Sequence, residues 1–265
     1  MAPPSLTVLR AYAHKRDPSK LPLAVHFAHT PTTLTVFDAF PKALFHLLVL
    51  PRPALAPELS PFDLASLRAL LRHKDSARRV LLALREAADA ARATVREEMR
   101  ARYGFEWDVW TGFHAVPSME HVHLHVISAD LCNAKLKTKK HYNSFHPALG
   151  FFLPLDTVLE WLDATPSYYD TMARLEPGKY EPLLKAPLEC FRCGKTLGTV
   201  PALKTHLQDE WDTLRARSLA RGKRKRDSVC DAAEAEEPRA KKAAVAVAPR
   251  DDGDAMDVDT PPVAP

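Results

Sequence analysis

Residues 121–128 read HVHLHVIS, which sets His121, His123 and His125 at every second position. Side chains two apart share one face of an extended chain, so the spacing predicts a strand over 120–128 with a row of exposed imidazoles. Val122, Leu124 and Val126 then point the other way, into a core. Such a row can donate hydrogen bonds to phosphate oxygens, attack phosphorus, or hold a metal. A His-x-His pair with a third histidine also suits a catalytic zinc. Ser118, Lys42, Lys137, Lys139, Lys140 and Asn143 are phosphate-friendly groups, and cationic neighbours favour an anion over a divalent cation.

A second set of ligating residues lies downstream. Cys190 and Cys193 form a CxxC pair, and twelve residues separate Cys193 from His206. That is the spacing of ββα zinc fingers. No second histidine follows, but Glu210 stands one helical turn beyond His206, and positions i and i+4 share a helix face. Glu210 is therefore the candidate fourth ligand, with Asp209 or a water as rivals. Lys195, Lys204 and Arg192 give this segment a basic face for phosphate contact.

The elements that must position these groups are legible in outline. Residues 23–29 and 33–38 alternate as strands, with Pro31 between them. FHLLVLP at 45–51 reads as a buried strand, and 105–112 and 120–128 as two more. A helical pattern runs from Ser60, a good cap before Pro61, to about Arg102. A helix over 155–163 follows Pro154, and a short amphipathic helix is expected near 5–14.

The chain has 265 residues, 46% of them hydrophobic, enough for a sizeable core. Its net charge of +4 hides an uneven distribution. Seven of the twelve residues at 215–226 are Arg or Lys, whereas 251–259 carries five Asp. RGKRKR at 221–226 and PRAKK at 238–242 read as a two-part nuclear import signal, so a nuclear location is expected. From about residue 218 large apolar residues are scarce, which predicts disorder. No apolar run is long enough for a membrane span. Four cysteines, two of them in the CxxC pair, suit a metal site in a reducing compartment.

GFHAVPSMEHVHLHVIS at 112–128 carries the histidine-triad hydrolase signature, and its lead-in resembles the aprataxin branch of that superfamily. DAFPKALFHLLVLPR at 38–52 resembles the family's first nucleotide-binding strand, and KTKKHYNSF at 137–145 its post-triad loop. CFRCGKTLGTVPALKTHLQDEW at 190–211 resembles the zinc module, in the glutamate form found in fungal members. The resemblance implies an α+β histidine-triad fold, an antiparallel sheet with helices, followed by a ββα-like finger and a disordered tail. It implies an N-terminal segment over 1–20, a catalytic domain over 21–165, a finger over 166–215 and the tail over 216–265.

The activity implied is removal of AMP from 5′-adenylated DNA ends through a covalent histidine–AMP intermediate. His123 is then the nucleophile. His121, His125 and Ser118 orient it and contact phosphate, and His114 serves the departing 5′-phosphate. Asp38 grips the ribose, Phe40 walls the adenine and Lys42 lies near the phosphate. DNA contacts are expected from Lys137, Lys139, Lys140, Asn143, Lys195 and Lys204, with Leu9 or Tyr12 as an apolar wedge at a duplex end. The implied cofactor is one structural zinc per chain and none for catalysis. The partners are nicked or double-stranded DNA and the AMP product, with no membrane and a monomeric chain. The alternatives are a small-molecule nucleotide hydrolase of the same superfamily and a non-catalytic nucleic-acid-binding module.

Overall fold

A computed structural model describes residues 6–243. Residues 1–5 and 244–265, including the acidic stretch 251–259, lie outside the described residues. The elements in chain order are α1 (Val8–Ala13), β1 (His26–His29), β2 (Thr33–Phe37), β3 (His46–Pro51), α2 (Leu67–Leu70) and α3 (Lys74–Tyr103). There follow β4 (Val109–His114), β5 (Leu124–Ser128), α4 (Lys139–Asn143), β6 (Phe152–Pro154), α5 (Leu155–Asp163), α6 (Pro166–Ala173) and α7 (Pro177–Tyr180). A small hairpin, β7 (Leu188–Glu189) and β8 (Thr196–Leu197), precedes α8 (Val200–Ala243). Among the described residues no helix is long and apolar enough to cross a membrane.

Six strands form one antiparallel sheet in the order β1-β2-β3-β5-β4-β6. Register decides which face each side chain takes, because residues directly opposite in an antiparallel pair share a face. Leu47 pairs with Val126 and Val49 with Leu124, and these four pack in one cluster with Val80, Leu81 and Leu84 of α3. His46 and Leu48, paired with Ile127 and His125, point to the opposite face. Gly112 pairs with His125, which puts His114, two residues on, on that second face as well. A side chain on Gly112 has no room: its Cβ would lie 2.5 Å from the Leu153 carbonyl oxygen and 2.7 Å from the Phe152 ring.

The helical pattern expected from Ser60 begins later, in α2 and then α3. Ser60 makes a turn instead, its amide and hydroxyl donating to the Asp63 carboxylate, and Ser66 supplies the first helix cap by accepting from the Ala69 amide. Gly104, at φ 77°, closes α3. β5 is also shorter than the expected 120–128 strand, since it starts at Leu124.

Residues up to Ala216 form one compact unit, and a second begins at Arg217. In the second, the stretch read as disordered from 218 carries helical backbone as far as Ala243. Its composition explains both readings: Ala, Glu, Lys and Arg favour helix, while large apolar residues to bury are scarce.

Gly112→Ala is expected to lower stability by roughly 1–3 kcal/mol, the usual cost of overpacking. Urea unfolding of the two proteins measures it, and an unchanged midpoint would contradict the close approach of β4 and β6.

Candidate active site and metal centre

The second face of the sheet opens on a cavity of about 630 Å³ whose floor holds His46, His114, His123 and His125. The imidazoles touch in sequence: ring centroids of His114 and His125 are 4.4 Å apart, of His123 and His125 5.0 Å, and of His46 and His125 5.2 Å. Phe145 packs edge-on against His46 and His125 and lies against His114.

Hydrogen-bond partners determine the protonation of each ring. A carbonyl oxygen only accepts, so His123 Nδ1, 2.8 Å from the His121 carbonyl, carries a hydrogen and donates it. The neutral ring then keeps its lone pair on Nε2, which has no hydrogen-bond partner among the described residues, and His123 lines the cavity. On His46 the Lys42 amide donates to Nδ1 at 3.3 Å, so Nε2 is the protonated nitrogen. That N–H donates to His125 Nδ1 at 3.0 Å, with the Asp38 carboxylate 3.5 Å away. His125 must then carry its hydrogen on Nε2, a buried atom with no partner. His114 Nε2 is buried and unpartnered too. Buried polar atoms without partners are rare in folded proteins, and a pair of them beside a cavity marks where a ligand's polar atoms fit.

The expected row of three exposed imidazoles is corrected in two ways. His121 lies outside the strand, at φ 87°, and its Nε2 donates to the Pro51 carbonyl at 2.7 Å. It contributes its carbonyl to the site, while its ring is held away. All three rings are buried, not exposed.

Burial drives the protonation equilibria. It pushes His46 and His121 down to about 4, and Asp38 only partly opposes this for His46. His123 is lowered by burial, with the His121 carbonyl and Asp38 opposing. His114 and His125 fall well below the ordinary imidazole value, from burial first and the neighbouring imidazoles second. Lys42 is lowered by burial against the pull of Asp38. The cluster is therefore neutral at pH 7.

Cations stand at the cavity mouth. Lys42, Lys135, Lys137 and Lys140 line it, as do His141 and Ser118. Lys42 also donates from Nζ to the Phe40 carbonyl. Phe40 is 64% exposed, and Asp38 accepts from its amide at 2.7 Å. Lys139 is exposed but is not part of the cavity lining.

Asn143 is not a surface contact. It is fully buried, and its amide donates to the Leu184 and Ala186 carbonyls, joining α4 to the segment before the finger. Leu9 is a core residue at 3% exposure, packed with Leu34 and Leu50, and half-buried Tyr12 packs against the same cluster. Neither is a free wedge.

Sequence reasoning missed His46 and Lys135. For His46 the available signal was a lone histidine opening an apolar strand eight residues after Asp38. Asp38, His46 and His125 also lie close enough to share an ion, but hydrogen bonds already engage both nitrogens of His46 and Nδ1 of His125.

The downstream ligands converge as the spacing requires. One donor atom each from Cys190, Cys193, His206 and Glu210 lie within 4.8 Å of one another. Cys190 and Cys193 sit on the turn between β7 and β8, and His206 and Glu210 on successive turns of α8. Glu210 stands 3.2 Å from both Cys190 Sγ and His206 Nε2, whereas Asp209 is exposed and outside the cluster. Two thiols, an imidazole and a carboxylate are a fitting tetrahedral set for zinc. Lys195 is exposed and Lys204 half-buried on the same module.

Two family descriptions match the chain. The scavenger mRNA decapping enzyme C-terminal binding family covers residues 7–141, and the C2HE / C2H2 / C2HC zinc-binding finger family covers 148–213. Aprataxin of Gallus gallus is 34% identical over 179 residues, 68% of this chain and 48% of that protein. Aprataxin of Danio rerio is 34% identical over 181 residues, 67% of this chain and 47% of that protein. The chain thus spans about half the length of these curated relatives. The crystal structure of the aprataxin orthologue Hnt3 in complex with DNA superposes at a TM-score of 0.59 and 26% identity, covering 82% of this chain and 99% of that one.

Stability should fall as the medium is acidified. The buried imidazoles have folded-state values below their unfolded value of about 6.5, so the unfolded chain binds more protons between pH 6.5 and about 4. Each imidazole costs roughly 1 kcal/mol per pH unit in that window. Urea midpoints at pH 7.5, 6.5 and 5.5 measure it, and a flat profile would contradict the neutral cluster.

Proposed function

The chain belongs to the aprataxin branch of the histidine-triad family, and from that premise we propose that it removes AMP from 5′-adenylated DNA ends and leaves a 5′-phosphate. One observation carries the reading: His123 Nε2 holds a lone pair, has no partner and faces a cavity ringed by lysines. That nitrogen attacks the α-phosphorus. A P–N bond forms as the phosphoanhydride breaks, and the 5′-phosphorylated DNA departs. Water then cleaves the P–N bond, releasing AMP and the free histidine, so one water is consumed per turnover.

The remaining residues serve charge and position. The unpartnered His125 Nε2–H is free to donate to a phosphate oxygen, and Lys42, Lys137 and Lys140 of the cavity lining offset negative charge. His114 supplies a hydrogen bond to the departing 5′-phosphate, and Ser118 a hydroxyl to the α-phosphate. Asp38, its carboxylate beside His46, and the exposed Phe40 suit a ribose and an adenine. Zinc, when bound at Cys190, Cys193, His206 and Glu210, is structural and holds the fold of the finger.

His123→Ala is expected to lower AMP release from an adenylated nicked duplex by about 10⁴-fold or more while DNA binding stays near wild type. AMP-lysine and a dinucleoside polyphosphate, assayed beside it, separate a DNA enzyme from a small-molecule hydrolase. Turnover by the variant close to that of the parent would remove the nucleophile assignment.

One zinc per chain is expected by metal analysis, and none in Cys190→Ser. Glu210→Gln should weaken binding while Asp209→Asn does not. Since Cys190, Leu203 and Leu207 share a core cluster with Ile127, Tyr142 and Phe152, chelation should also lower the melting temperature of the catalytic unit. A melting curve unmoved by chelator would contradict the coupling.

A further inference from the structure

The cavity at His123 continues beyond the reacting nitrogen. Val116, Pro117, Ser118 and Met119 line one side of it and also line a second hollow of about 290 Å³. Ser66 and Arg68, at the start of α2, belong both to that hollow and to a third of about 620 Å³ between α2 and α6. These shared residues set the three hollows side by side, a broken furrow from the histidines, past the Pro117–Ser118 turn, to the far groove. Arg68, Arg72 and Arg174 line that groove, with Asp170 the one carboxylate among its described lining residues.

All three arginines are exposed. Among the described residues eight other arginines stand within 4 Å of a carboxylate, and these three do not. A guanidinium without a carboxylate partner can turn its two terminal nitrogens to two phosphate oxygens at once; in Arg72 only Nε is engaged, donating to the Ala69 carbonyl at 3.5 Å. The groove residues Arg68, Arg72 and Arg174 do not line the His123 cavity, so a single nucleotide bound there has no use for them. A polyanion that starts at His123 passes through it.

We propose that the furrow is a track for the DNA backbone, in which Arg68, Arg72 and Arg174 contact phosphates of the adenylated strand beyond its reacting end. This rests on reading the His123 cavity as the adenylate site. Continuity with that cavity favours DNA over an acidic peptide, which has no reason to begin at a row of histidines.

The test is the triple variant R68Q/R72Q/R174Q, compared with wild type for binding to 5′-adenylated single strands and nicked duplexes of increasing length, across a salt series. Wild-type affinity should rise with strand length until the furrow is filled. The variant should lose that rise, and its slope of log affinity against log salt should shrink by roughly two to three. An adenylated dinucleotide, too short to reach the groove, should bind both proteins alike. Equal slopes and equal length dependence would overturn the proposal. So would unchanged DNA binding combined with loss of binding to a synthetic peptide of residues 249–260, which would assign the groove to an acidic peptide. Should the triple variant melt early, R72Q and R174Q singly are each expected to reduce the slope by about one, and no change in either counts against the track. Failure of the adenylate reading is separable: wild type would then release no AMP from any substrate, whatever the slopes.

Discussion

The hydrogen bond from His123 Nδ1 to the His121 carbonyl sets which nitrogen of the central imidazole faces the cavity, and much of the fold serves to place that carbonyl. The chain must turn sharply just before β5, and His121 does so at φ 87°, a conformation that costs a non-glycine residue about 1–3 kcal/mol. Three bonds hold it there: His121 Nε2 to the Pro51 carbonyl, and the His121 and Val122 amides to the carbonyls of Ala65 and Leu64. Pro51 ends β3, and Leu64 and Ala65 lie in the turn before α2. The connection between β3 and α3 is thus a clamp on the orientation of the His123 ring.

The imidazole cluster balances two opposed demands. A nucleophilic nitrogen must be unprotonated, which burial secures. A phosphate needs positive charge or hydrogen-bond donors, which a neutral ring supplies from one side only. The relay from the Lys42 amide through His46 to His125 resolves this without a net charge, because each ring accepts on one nitrogen and offers an N–H on the other. Formal charge is left to the lysines at the mouth, where solvent reduces their mutual repulsion.

The alternation at 33–38, the apolar run at 45–51, Pro154 before α5 and the CxxC-to-histidine spacing were readable in the sequence because each depends on near neighbours. What was missed depends on register or on competition between local signals. His46 joins the site only because β3 pairs with β5 so that His46 and His125 share a face. Asn143 reads as a polar loop residue, and nothing local reveals that the Leu184 and Ala186 carbonyls will fold over it. Ser60-Pro61 is a proper helix start, yet Asp63 captures the serine and closes a turn. Leu9 sits in the expected short amphipathic helix, where the family resemblance implies a wedge, while its burial against Leu34 and Leu50 is a long-range fact.

The lysine loop and the finger act as one body. α4 carries Lys140 and His141 on the cavity side, while its Tyr142 hydroxyl donates to the Glu189 carbonyl and accepts from the Phe191 amide. Glu189 and Phe191 flank Cys190. The Tyr142 phenol therefore bonds both chain neighbours of Cys190 and lies two residues from the cavity-lining Lys140. Arg192 reinforces the joint by donating to the Ala129 carbonyl, and Trp211 of α8 packs among Tyr103, Phe105 and Trp107. A metal that holds the turn of the hairpin consequently also holds the loop that supplies cations to the cavity. The histidine cavity and the Cys190 ligand cluster are thereby joined through Tyr142.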